Sequence, residues 1–314
     1  MATSGITELN ITAKKVIEKA LLSLGVGSAG SQLTASELTD GLDSLNNLIK
    51  SWQNYHLPWL STNVIVFFDT NKRIYKLGEG GDKQAMASDF REATVNADVA
   101  LGGATIACDT TQFSVNDNVG IELDSGIRFW STVAVVNAGA GTIQLNNAVP
   151  SASSTGKSIF CCTNFISLRP LSIDYASKGV YNENTDDEIT LYVKDTYLDI
   201  VDKKNTGEPT IAYYNAQLGA GELFVYLVPD SCNYYANVNY KRGLEVVTNQ
   251  NQTLDFPDEF VRALIPSLAV LMAPEYSTSA ERTASVMRSA DENLGLALSN
   301  AVETGSEPLE YPYG

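Results

Sequence analysis

Histidine is almost absent from this chain: His56 is the single one among 314 residues. A Ser-His-Asp relay would therefore rest on that residue alone. It stands beside Tyr55, Leu57, Pro58 and Trp59 at the end of a leucine stripe, where packing at a helix terminus is the plain reading. Cysteine is scarce as well. Cys108, Cys161, Cys162 and Cys232 include no Cys-x-x-Cys spacing. Adjacent strand residues point to opposite faces, so Cys161 and Cys162 are poorly placed to share an ion. Reduced, buried thiols from a cytosolic site of synthesis are expected, with no metal and no cofactor. No Gly-x-Ser-x-Gly, HExxH or Walker sequence occurs. No apolar run reaches the roughly 18 residues a membrane helix needs. Met1 to Gly5 lacks a basic segment followed by an apolar one, so no secretory leader is expected.

Basic residues are also few. Against 37 Asp and Glu stand 21 Lys and Arg, for a formal charge of -16. Such a surface repels a phosphate backbone over most of its area. It argues against gripping DNA and not against DNA sliding past. Hydrophobic residues make up 44% of the chain, enough to bury a sizeable core.

The chain ends have helical spacing and the middle has strand spacing. Ala13, Val16, Ile17, Ala20, Leu21 and Leu24 share one helix face, and Gly25 follows where a left-handed terminator belongs. Thr34 to Glu37 is a capping box, and Leu38, Leu42, Leu45, Leu48, Ile49 and Trp52 continue that helix. From Asn63 the period falls to two. Val64–Phe68 and Arg73–Leu77 are candidate strands around a turn. Five more are expected at 105–108, 118–123, 129–136, 142–145 and 158–162, a spacing that suits a small β-barrel or sandwich module inserted into a host β domain. The host resumes near Ile166, with strands at 173–176, 189–193, 210–214, 223–227 and 235–240. Helices return at Phe256-Pro257-Asp258-Glu259, with Pro266 expected to kink and Pro274 to stop the first. Thr278 to Glu281 matches a second capping box, and Met287, Ala290, Leu294, Ala297 and Ala301 form the last stripe.

Candidate chemistry is thin. Asp186-Asp187-Glu188 is the densest carboxylate cluster, read as a solvated hairpin tip or a loose cation site. Gly78 to Asp82 leads into no clear helix, so it is a poor phosphate cradle. Asp202-Lys203-Lys204 is a solvated turn. Trp52, Tyr55, Trp59 and Trp130 suit core packing or subunit contact, with stacking on sugars or bases as the alternative.

Several stretches, in this order, resemble the head-to-tail adaptor family of short-tailed bacteriophages (head completion, or tail tubular protein A-like, proteins). They are Ala20 to Val26, Gly41 to Trp52, Tyr75 to Asp82, Pro209 to Tyr214 with Gly221 to Asp230, and Phe256 to Tyr276. The resemblance implies an α+β fold. A helical bundle formed by both chain ends (1–60 and 256–302) would bear an antiparallel β domain (61–91 and 166–255). The inserted module at 92–165 departs from the smallest family members. It also implies a structural virion protein, not an enzyme. Twelve copies would form a ring joining the portal protein to the tail nozzle, or tail tubular protein, at the portal–tail junction. DNA would pass through the lumen without specific binding, and no membrane is involved. The tail at 303–314 would reach the portal; its Leu309, Tyr311 and Tyr313, with Trp52 and Trp59, are the expected partner contacts. The competing readings are a glycan- or partner-binding tail module and, behind it, a cell-wall hydrolase.

Overall fold

The computed structural model describes residues 11–26, 33–55, 57–183 and 186–300. In chain order these form α1 (Ala13–Leu24), α2 (Ala35–Trp52), β1 (Ser61–Phe67), β2 (Ile74–Gly78), β3 (Gln84–Met86), β4 (Arg91–Thr94), β5 (Thr105–Ala107), β6 (Asn118–Glu122), β7 (Arg128–Asn137), β8 (Thr142–Leu145) and β9 (Ser158–Cys162). There follow β10 (Pro170–Val180), β11 (Asp187–Glu188), β12 (Thr190–Leu191), α3 (Lys194–Leu198), β13 (Thr206–Gly207), β14 (Ile211–Asn215), β15 (Ala220–Tyr226), β16 (Val228–Pro229), β17 (Tyr234–Arg242), α4 (Asp258–Met272) and α5 (Ala280–Asn300).

The expected α+β fold led by a helical bundle from both chain ends is overturned. The described chain is mostly β: its strands form four sheets, one of them curled into a half-barrel, and only five α-helices accompany them. Four of those helices do lie near the two ends. The physical reason is that the helices supply only part of the core: α1, α2 and α4 each bury an apolar stripe, but α5 adds little. Helix α5 spans 21 residues and buries only Ala290 and Ala297. Most of the apolar surface that must be covered sits on strands.

Two compact units result, Met1–Trp59 with Leu244–Gly314, and Leu60–Gly243. In the first, α1 buries Val16, Ile17, Ala20, Leu21 and Leu24. Gly25 ends it at φ 78°, where its own N–H and that of Val26 satisfy Leu22 and Leu21 carbonyls. The box opening α2 is formed: Thr34 N donates to Glu37 at 2.8 Å and Glu37 N donates to Thr34 Oγ1 at 3.2 Å. The second box is not. Ser279, one residue later, receives Arg282 N, while Thr278 turns to the Ala273 carbonyl. A short 3₁₀ turn at Ala273–Tyr276 follows α4, and Pro266 lies inside the continuous helix.

In the second unit, the five-stranded sheet (β11-β10-β17-β1-β3) faces the four-stranded sheet (β12-β14-β15-β2) across one core. Strand β1 explains its own unbroken apolar run. Val64 and Val66 enter that core, while Ile65 and Phe67 enter a second cluster on the opposite face. The segment 92–165, expected as a small β module inserted into the host domain, lies within this compact unit and carries its own sheet. Its six strands run β4-β9-β6-β7-β8-β5 around a core holding Val119, Ile121, Val133, Ile143 and Ile159. Asn96 N donates to the Ala107 carbonyl at 2.8 Å, which draws the β4 end towards β5.

Candidate functional site

The second cluster on β1 is where the six-stranded sheet docks. Strand β9 is buried along its whole length. Ile159 and Cys161 turn into the sheet's own core, and Phe160 and Cys162 turn towards Ile65, Phe67 and Ala85. Phe67 meets Trp130 at 4.8 Å between ring centroids, Trp130 meets Phe165 at 5.1 Å, and Phe90 meets Tyr235 at 4.8 Å, all edge to face. Trp130, partly buried, thus packs against this cluster.

Arg128 is the polar centre of this dock. Its guanidinium lies 3.6 Å from the Phe160 ring centroid. It donates to the Gly120 carbonyl at 2.9 Å, the Cys232 carbonyl at 2.6 Å, Ser158 Oγ at 3.0 Å and Asn233 Oδ1 at 3.2 Å. Burial pushes its pKa down to about 10, against nearby carboxylates that pull it back up. Glu92 reaches across the same junction. Asn182 N donates to its Oε2 at 3.1 Å, and burial raises its carboxyl above the usual range.

The other candidate groups have structural partners. Asp187 pairs with Lys178 at 3.0 Å, Glu208 pairs with the same lysine, and Asp186 receives the Ser177 hydroxyl at 3.4 Å. The Gly78–Asp82 turn caps a sheet edge: Asp82 Oδ2 accepts Lys76 N at 2.8 Å and Asp82 N returns a bond to the Lys76 carbonyl. Burial raises the Cys108 thiol to about 11 and the Cys162 thiol to about 12, and pushes Cys161 and Cys232 up as well. All four stay protonated and poorly nucleophilic at neutral pH. Among the described residues no group of His, Cys, Asp or Glu is placed to hold a metal.

Of the expected partner contacts, Trp52 is buried, edge to face with Phe256 at 5.8 Å and Phe260 at 6.3 Å. Trp59 packs on Phe260 at 4.5 Å. Both tryptophans thus pin the start of α4. Leu309, Tyr311, Tyr313 and His56 lie outside the described residues.

The open surface lies instead on α4 and α5. A groove of about 340 Å³ is lined by Asp258, Glu259 and Arg262 at the start of α4, and by Asn293, Leu296, Ala297 and Asn300 at the end of α5. The acids suit the positive end of α4. Leu296 is 63% exposed and Met287 is 47% exposed. At about 100° per residue, residues 287 and 296 fall on opposite flanks of the helix. A one-stripe reading of α5 missed this. The signal was available, because Leu296 lies one position off the Ala290 and Ala297 stripe. No family model matches this chain, and no curated protein matches it.

Proposed function

We propose that the chain is a non-enzymatic, ring-forming adaptor of a phage particle, seated between the portal and the tail nozzle with DNA passing through its lumen. The observation that carries this reading is α5, a 21-residue helix with two buried side chains and exposed apolar residues on both flanks. A helix so incompletely covered within one chain is suited to burial between neighbouring copies. Two further features support it. The densest carboxylates and all four thiols serve packing and ion pairs, and the formal charge of -16 suits a bore past which phosphates move without sticking. Trp130 and Phe165, the aromatics a glycan-binding module would present, are packed edge to face against each other.

The test is assembly on a portal ring. Purified full-length chain is mixed with portal particles and imaged by negative stain, with mass measured in parallel. The expected result is an added ring of about a dozen copies on one portal face. A chain that stays monomeric and never joins the portal would overturn the proposal.

A further inference from the structure

We infer that α5 makes a head-to-tail contact with a second copy of this chain: Met287 of one copy enters the groove beside Leu296 and Ala297 of the next, and Arg288 meets Glu259 there. The inference rests on the ring reading and names the surface that would build the ring.

The helix geometry favours this arrangement over a symmetric dimer. An isologous contact uses one patch twice, whereas a closed ring needs two different patches that fit each other. Helix α5 carries two. On one flank Met287 projects, a flexible side chain suited to an irregular recess. On the other flank the groove opens, with Leu296 and Ala297 as its apolar wall and Glu259 at its acidic end. Charge agrees with shape. Arg288 is exposed next to Met287, Glu259 is exposed at the groove, and neither has an ion-pair partner among the described residues. Bringing the two copies together pairs one with the other.

The test uses full-length chains carrying Met287→Cys or Leu296→Cys and a short bismaleimide. The native thiols are at most 3% exposed and stay silent. The expected result is that neither variant links to itself, an equal mixture links into dimers, and the double variant gives a ladder. Arg288→Glu in the Met287→Cys chain should cut the mixed product about tenfold, and Glu259→Arg in the Leu296→Cys chain should restore it. Self-linking of either variant as strong as the mixture would mean a symmetric contact and overturn the inference. Rings that assemble on the portal without the mixed product would overturn the inference alone. No association under any condition would overturn the ring reading with it.

Discussion

Arg128 shows how much one buried charge can hold. It is 5% exposed and joins a carbonyl of its own sheet, at Gly120, to the carbonyl of Cys232 and the amide oxygen of Asn233 on the loop before β17. Removing the guanidinium strips the buried Cys232 carbonyl of its side-chain donor and leaves Asn233 Oδ1 with the Ser158 hydroxyl alone. Arg128→Met keeps most of the contact with Phe160, so its loss reports the polar network. We expect unfolding free energy to fall by about 3 kcal/mol in urea titration. Arg128→Lys should lose nearly as much, because one ammonium does not span a forked set of acceptors. A loss below about 1 kcal/mol in either variant would mean that the network is dispensable.

Glu92 makes the pH dependence of the same junction predictable in sign. Burial raises its carboxyl, while the Asn182 N–H, the Tyr235 hydroxyl and Arg128 pull it down without prevailing. An acid whose pKa is higher folded than unfolded binds more protons in the folded state between those two values. Its contribution is therefore full below the ordinary glutamate value and falls as pH rises through the raised one. Glu92→Gln mimics the protonated form. The stability difference between variant and parent should grow as pH rises from the ordinary glutamate value through the raised one and then level off, as read by denaturant titration at each pH. Parallel curves would remove Glu92 as the source.

At the scale of elements, two helical glycines have opposite roles. A Cβ on Gly41 in α2 would come within 2.6 Å of Ile17 Cγ2, and Ile17 is fully buried. A Cβ on Gly295 in α5 would meet nothing within 4 Å. Gly41→Ala should destabilise by about 1–2 kcal/mol despite its better helix propensity, since a packed core resists an added methyl. Gly295→Ala should stabilise by about 0.5–1 kcal/mol. Thermal melts of the two variants should shift in opposite directions; a rise for both would mean that α1 and α2 are not in close contact.

The same elements show what was legible beforehand. Strong periodicity placed α1, α2 and α4, and it placed β8 and β9 at their observed bounds, because each pattern reports a face that is buried. Strand β4 was missed because Arg91-Glu92-Ala93-Thr94 buries only Ala93 and is held mainly by its ladder to β9. Helix α3 was missed because five residues are too short to show a period. The fold class was misjudged by letting the helical stripes at the ends outweigh many short strands. The groove was not legible because its walls come from the start of α4 and the end of α5, which only folding brings together.

At the scale of the whole chain, the stretch from Glu92 to Phe165 can be asked whether it is an ornament or part of the host. Its ends meet, since Asp89 Oδ2 accepts both Thr163 N at 2.8 Å and Asn164 N at 3.1 Å. A short Gly-Ser linker therefore suffices to replace it without stretching the host chain. Its removal, however, strips Trp130, Phe160 and Phe165 from Ile65, Phe67, Phe90 and Tyr235. That leaves a contiguous apolar face on a sheet, a surface that drives aggregation. We expect the trimmed chain to be insoluble or to bind an apolar dye strongly. Adding Phe67→Thr, Phe90→Ser and Tyr235→Thr should return it to solution. The α5 groove belongs to the other unit, so the trimmed and resurfaced chain should still assemble into rings. A trimmed chain that is soluble without the three substitutions would show that the aromatic dock is not needed to cover β1. A resurfaced chain that folds and no longer assembles would place the ring contact in the removed sheet.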